Sequence, residues 1–154
     1  MRFVVVIFVS LLTLSCANKT MGQTDQENKI VNLYEGTLNG AGAEGFEKGN
    51  IIIQSQEAWQ SIVNKLNSVN EVTGQFNSTI DFSKNNVIIA VDRVRSTSGF
   101  SIKLSKAQEQ KDMLELNVLT KGPGPTDMVA TVITQPIHII LINKTDKKIV
   151  FVEK

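Results

Sequence analysis

Chemistry has few places to start in this chain, which holds one histidine, His138, and one cysteine, Cys16. A Ser–His or Cys–His pair would have to use that single imidazole. It lies in Ile137-His138-Ile139-Ile140-Leu141, an apolar run whose alternate side chains face opposite sides of a sheet. The expected role is structural, at the sheet surface or hydrogen-bonded in the core, and no Gly-x-Ser-x-Gly elbow accompanies it. Zinc needs clustered His and Cys ligands, which this composition does not supply. The carboxylates are scattered through turns and strand exteriors without the spacing of an EF-hand loop. A paired-carboxylate hydrolase is the one catalytic reading that the residue types leave open. Asn39 to Gly49 contains four glycines but lacks the Gly-Lys-Ser/Thr ending of a phosphate cradle, so it reads as a connecting loop. The expectation is a protein without catalytic residues, metal or cofactor.

Cys16 has a different chemistry. Arg2 is followed by an apolar run from Phe3 to Leu14, shorter than the roughly 20 residues that cross a bilayer as a helix. A basic start, a short apolar stretch and a small residue before a cut mark a secretory signal peptide. Thr13-Leu14-Ser15-Cys16 resembles a bacterial lipobox, with Thr13 where leucine is usual and leucines at 12 and 14. The alternative is an ordinary cysteine beside a conventional cleavage site. A lone thiol in an exported chain has no internal disulfide partner, which favours acylation. Two or more acyl chains, at about 0.8 kcal/mol per buried methylene, make such an anchor durable. Residues 1–15 are therefore expected to be a signal peptide, and 16–29 an acylated Cys16 with a polar tether. Residues 30–154 are expected to form one domain. The thirteen tether residues from 17 to 29 reach roughly 40 Å when extended. The protein would sit in the bacterial cell envelope, lipid-anchored and facing the periplasm or exterior. A formal net charge of +1, with no Lys/Arg block beyond Lys147-Lys148, argues against a nucleic-acid partner.

The elements that position these residues follow from periodicity. Ser55 to Val69 predicts a helix, because Trp59, Ile62, Val63, Leu66 and Val69 recur at three- and four-residue steps. Ser55 is suited to cap it, and Glu57 to the first turn. Strands are expected at 30–38, 51–53, 87–91, 100–104, 114–118, 128–134, 137–142 and 148–152, with Gln135-Pro136 separating two of them. Short intervals favour hairpins. The fold class is α+β: one amphipathic helix packed with a mostly antiparallel twisted sheet.

Binding residues are sought on loops held out by a scaffold. The segment from Arg93 to Phe100 joins two strands and is the richest of them. Arg93 and Arg95 offer forked donors to a partner, Thr97 is polar, and Gly99 permits a turn with positive φ. Phe100 either contacts a partner or begins the core face of the next strand. As surface residues, both arginines should be removable with about 0.5 kcal/mol or less change in stability. Simple up-and-down order would place Gly122–Asp127 near this loop and Gln135-Pro136 at the opposite end.

The series Ile80-Asp81-Phe82-Ser83, Val87-Ile88-Ile89-Ala90-Val91, Ser98-Gly99-Phe100-Ser101-Ile102 and Thr131-Val132-Ile133-Thr134-Gln135-Pro136-Ile137-His138-Ile139 resembles the C-terminal domain of the protease complex subunit PrcB family. The helix with Trp59 and the phrase Asn67-Ser68-Val69-Asn70 suit its lipoprotein members. Ser98 stands where a glycine is common and Ile137 where an aromatic is common, which would alter an aromatic contact surface. The resemblance implies a non-catalytic envelope lipoprotein that associates with a protease or another envelope protein. A second resemblance is to chagasin-like cysteine-peptidase inhibitors. Thr97-Ser98-Gly99-Phe100, Gly122-Pro123-Gly124 and Gln135-Pro136 would stand for their three loops, although the last lacks their arginine and aromatic.

Overall fold

The computed structural model describes residues 29–154. The signal peptide, Cys16 and nearly all of the expected tether lie outside the described residues.

Among the described residues, seven strands and one α-helix follow in the order β1 (Val31–Leu38), β2 (Gly49–Ile53), α1 (Gln56–Leu66), β3 (Asn85–Val91), β4 (Ser101–Glu109), β5 (Met113–Lys121), β6 (Gln135–Asn143) and β7 (Lys148–Glu153). A short 3-10 turn, Val72–Gln75, follows the helix. The class is α+β with mostly antiparallel strands, but the strands form two sheets where the sequence suggested one. The first has the order β1-β6-β3-β2 and the second β4-β5-β7.

The first sheet is the middle layer. Its alternate residues Leu38, Ile53, Val87, Ile89, Val91, Ile137 and Ile139 pack with Trp59, Ile62 and Leu66 of α1. The other face sends Ile88, Ala90, Ile140 and Ile142 against Ile102, Leu104, Leu114, Leu116 and Val118 of the second sheet. Burial on both faces explains why β3 and β6 read as continuous apolar runs, while β4 and β5, covered on one face, alternate. Ser55 caps α1, its Oγ accepting from the Ala58 N–H at 3.3 Å. The helix stops at Leu66, short of the expected end. Asn67 turns its side chain to Thr73 instead, accepting from that backbone N–H at 3.1 Å, and Val69 is exposed.

Three further expectations are corrected. Residues 128–134 form no strand. They belong to a loop crossing from the second sheet to the first, attached by an isolated bridge between Arg95 and Thr134. Their β-rich composition finds no strand partner along its length. Gln135 and Pro136 do not break a strand but begin β6, both buried. Finally, the short interval between β6 and β7 makes no hairpin: β7 pairs with β5, in parallel. The turn after β6 reverses the chain but also delivers it to the other sheet, where the neighbouring β5 already runs in the new direction.

Strand directions decide where the loops gather. β3 and β5 finish at the same end of the molecule, and β4 and β6 begin there, so both sheet-crossing loops, 92–100 and 122–134, fall together. The β4–β5 hairpin, the β6–β7 turn and the start of β1 occupy the other end.

Candidate functional site

The two crossing loops are fastened to each other. Arg95 and Thr134 exchange backbone hydrogen bonds of 2.7 and 3.0 Å, and the Ser98 N–H donates to the Ala130 carbonyl at 3.0 Å. The Ala130 N–H returns a bond to Ser98 Oγ at 2.9 Å, and Thr134 Oγ1 donates to the Thr97 carbonyl at 3.1 Å. Ser98 thus uses the hydroxyl that a glycine would lack. Gly99 has φ of 90°, which favours glycine, and a Cβ there would also stand a tight 3.1 Å from Pro123.

Beneath the loops, Asp92 is the organising group, with its side chain 1% exposed. Its Oδ2 accepts from Arg95 Nε at 2.7 Å and pairs with Nη2 at 2.6 Å, while Oδ1 accepts from the Arg93 N–H at 2.8 Å. The Arg95 guanidinium also lies 4.3 Å from the centre of the Phe100 ring. The Gln135 amide closes the base, donating to the carbonyls of Phe46 and Asp92 at 2.9 and 3.0 Å.

Arg93, Arg95, Thr97, Gly99 and Phe100 are therefore brought together in one loop, in different roles. Arg93 is exposed and aims outward from the Asp92 pair, whereas Arg95 is committed to Asp92 and Phe100. The expectation that both arginines are dispensable surface donors is corrected for Arg95. A recess of about 240 Å³ is lined by Arg93, Val94, Arg95, Ser96, Thr97 and Phe100. Gly122 and Pro123 lie against this loop as expected. Gln135-Pro136 lies at the same end, not the opposite one, where the Asp92 backbone N–H donates to the Pro136 carbonyl at 2.9 Å. Being buried in β6, that pair supplies no projecting third loop of the chagasin kind. Ile137 is fully buried facing α1, so an aromatic there would alter the core rather than a contact surface.

Sequence reasoning missed the apolar crown of this lobe by assigning four of its five residues, those from 128 to 133, to a strand. Val94, Val129, Val132 and Ile133 are exposed, and Met128 is wholly so at 101%. They make up five of the nine large apolar side chains exposed among the described residues. The available signal was the apolar run after a Gly-Pro-Gly-Pro segment that has no strand to pair with.

His138 lies between the sheets, 2% exposed. Its Nδ1 accepts from the Leu104 N–H at 2.8 Å, satisfying a donor on the free edge of β4, and its Nε2 stands 3.8 Å from Glu35. Glu35 also pairs with Lys103 at 3.2 Å. Burial holds the imidazole below its ordinary titration range, against the Glu35 carboxylate and with the Lys103 ammonium adding to the effect. A neutral acceptor fixed in a sheet-to-sheet bond is placed for structure. Because the folded pKa lies below the unfolded value of 6.5, the folded state takes up this proton less readily. This group's contribution is complete above about pH 6.5 and is lost as pH falls toward the folded pKa. Urea midpoints at pH 7.5, 6.5 and 5.5 should therefore fall with pH, and less steeply in His138→Gln. Equal slopes in the two proteins would assign the dependence to other groups.

Among the described residues, no group of three or more His, Cys, Asp or Glu side chains is placed to hold a metal ion. No helix among them is long and apolar enough to cross a membrane.

These features define an α+β domain that displays a pinned two-loop lobe at one end of its sheets. Residues 87–143, from β3 to β6 and including both loops, match the family model of the PrcB C-terminal domain. Over that segment the chain is similar to the PrcB family. No curated protein and no solved structure matches it.

Proposed function

We propose that this protein is a non-catalytic, lipid-anchored accessory subunit of the cell envelope whose loop lobe docks a protein partner. The family name directs attention to an envelope protease as that partner. One observation carries the reading: two loops pinned by backbone and side-chain bonds hold five apolar side chains in water, with Arg93 beside them. Exposed apolar clusters with a polar rim suit protein interfaces, and a pre-fastened loop loses less entropy on binding. The anchor would be the acylated Cys16.

The test is purification of the full-length protein from native envelopes, with co-purifying proteases identified by mass spectrometry and their affinity then measured directly. Met128→Asp with Ile133→Asp should weaken that binding at least tenfold while stability stays within about 0.5 kcal/mol, as for ordinary surface changes. Unchanged affinity would move the interface off the lobe. The intact mass of the native protein tests the anchor, since an unmodified thiol at Cys16 would remove it.

A further inference from the structure

The end of the molecule opposite the lobe carries a different chemistry. β1 starts there, with Val31 opposite Leu141, so the preceding residues join the domain at that end. The Lys148 N–H donates to the Asp112 carbonyl at 2.9 Å and the Lys144 N–H to the Lys84 carbonyl at 2.7 Å, drawing three turns together. These turns and their flanks collect Lys84, Lys106, Lys111, Lys144, Lys147 and Lys148 against Asp81, Glu109, Asp112 and Asp146. An open hollow of about 710 Å³ lies at the hairpin, its charged lining consisting of Lys106, Lys111, Lys147 and Glu109. Glu109 pairs with Lys106 at 2.7 Å and with Lys147 at 2.8 Å, so one carboxylate holds two ammonium groups at the rim.

We propose that this end seats on an anionic lipid headgroup layer, with a headgroup phosphate taken into the hollow between Lys106, Lys111 and Lys147. Ammonium groups on long stems suit phosphate as movable point charges, and each lysine near an anionic surface strengthens association about fivefold. The occupant follows from charge and from where the preceding chain enters: a tether from an acylated Cys16 joins the domain at this lysine-rich end, which is therefore the end nearer the anchor, with the lobe at the far end of the strands. The nine residues of β6 would then hold the lobe roughly 30 Å further out. The orientation rests on the anchored reading above.

The experiment uses the full-length native protein reconstituted into phosphatidylglycerol or phosphatidylcholine vesicles, with lysine acetylation rates read by mass spectrometry. Lys106, Lys111 and Lys147 should label about fivefold more slowly on phosphatidylglycerol, with the difference lost in high salt, while Lys48 and Lys121 at the lobe end label equally on both. Lys84, Lys144 and Lys148 on the adjoining turns should be protected as well, and Lys111→Gln with Lys147→Gln should remove that protection. Should that pair perturb the fold, the exposed Lys111→Gln alone should weaken it. Equal labelling on the two lipids, or unaltered protection in the variants, would overturn the proposal. So would equal protection by inorganic phosphate on phosphatidylcholine, which would place a soluble anion in the hollow. The intact mass reports acylation of Cys16 separately, so a failed anchor and a failed lipid surface give different readings.

Discussion

Arg95→Ala is expected to lower the stability of the domain by about 3–5 kcal/mol, the cost of stranding a buried charge. The stranded group is Asp92, whose Oδ2 would lose both guanidinium contacts within a base already closed by Gln135 and β6. The Phe100 ring would lose its covering cation as well. Arg93→Ala removes only an exposed side chain, because its bond to Asp92 runs through the backbone N–H, so a change within about 0.5 kcal/mol is expected. Asp92→Asn with Arg95→Met should recover part of the loss, since no uncompensated charge remains. Equilibrium urea unfolding of the four proteins checks the order. An Arg95→Ala midpoint equal to that of the unaltered chain would show that Asp92 is solvated. The two arginines also separate in binding, where only Arg93→Ala should weaken a partner without weakening the fold.

Trp59→Ala is expected to cost about 3–5 kcal/mol, as for other large aromatic truncations in cores. Trp59 is 1% exposed and joins α1 to the first sheet. Its Nε1 donates to the Ser78 carbonyl at 2.7 Å, fixing the segment that returns from the helix to β3, and its ring tilts against Phe76 with centroids 6.4 Å apart. Trp59→Phe keeps much of the volume but leaves that carbonyl without its donor, so an intermediate loss is expected. The urea midpoint is the readout, and one unmoved by Trp59→Ala would mean that the helix does not depend on this anchor.

The local elements were legible because their causes are local. The 3.6-residue spacing of Trp59, Ile62 and Leu66 specifies a helix face, and Ser55 caps it through a hydroxyl three residues from its donor. The alternation in β4 and β5, and the unbroken apolar runs of β3 and β6, record how many faces each strand buries. The family signature lies in the same local phrases. Pairing between distant strands left no such record. Nothing near Lys148 states that β7 leaves the sheet of β6 to run parallel to β5, because that choice depends on which edge is free after the hairpin closes. Arg95 resembles Arg93 in sequence, and only the folding of β6 over Asp92 makes one structural and leaves the other outward. Likewise, residues 128–133 are apolar enough for a strand, yet the crossing between sheets denies them a partner and leaves them in water. By itself the sequence determined the class of fold, the resemblance of residues 87–143 to the PrcB C-terminal domain and the scarcity of catalytic groups, since these rest on composition, short motifs and short-range periodicity. The tertiary structure decided the two sheets, the pinned lobe at one end and the lysine hollow at the other, because contacts between residues far apart in the chain set where each loop and charge comes to rest.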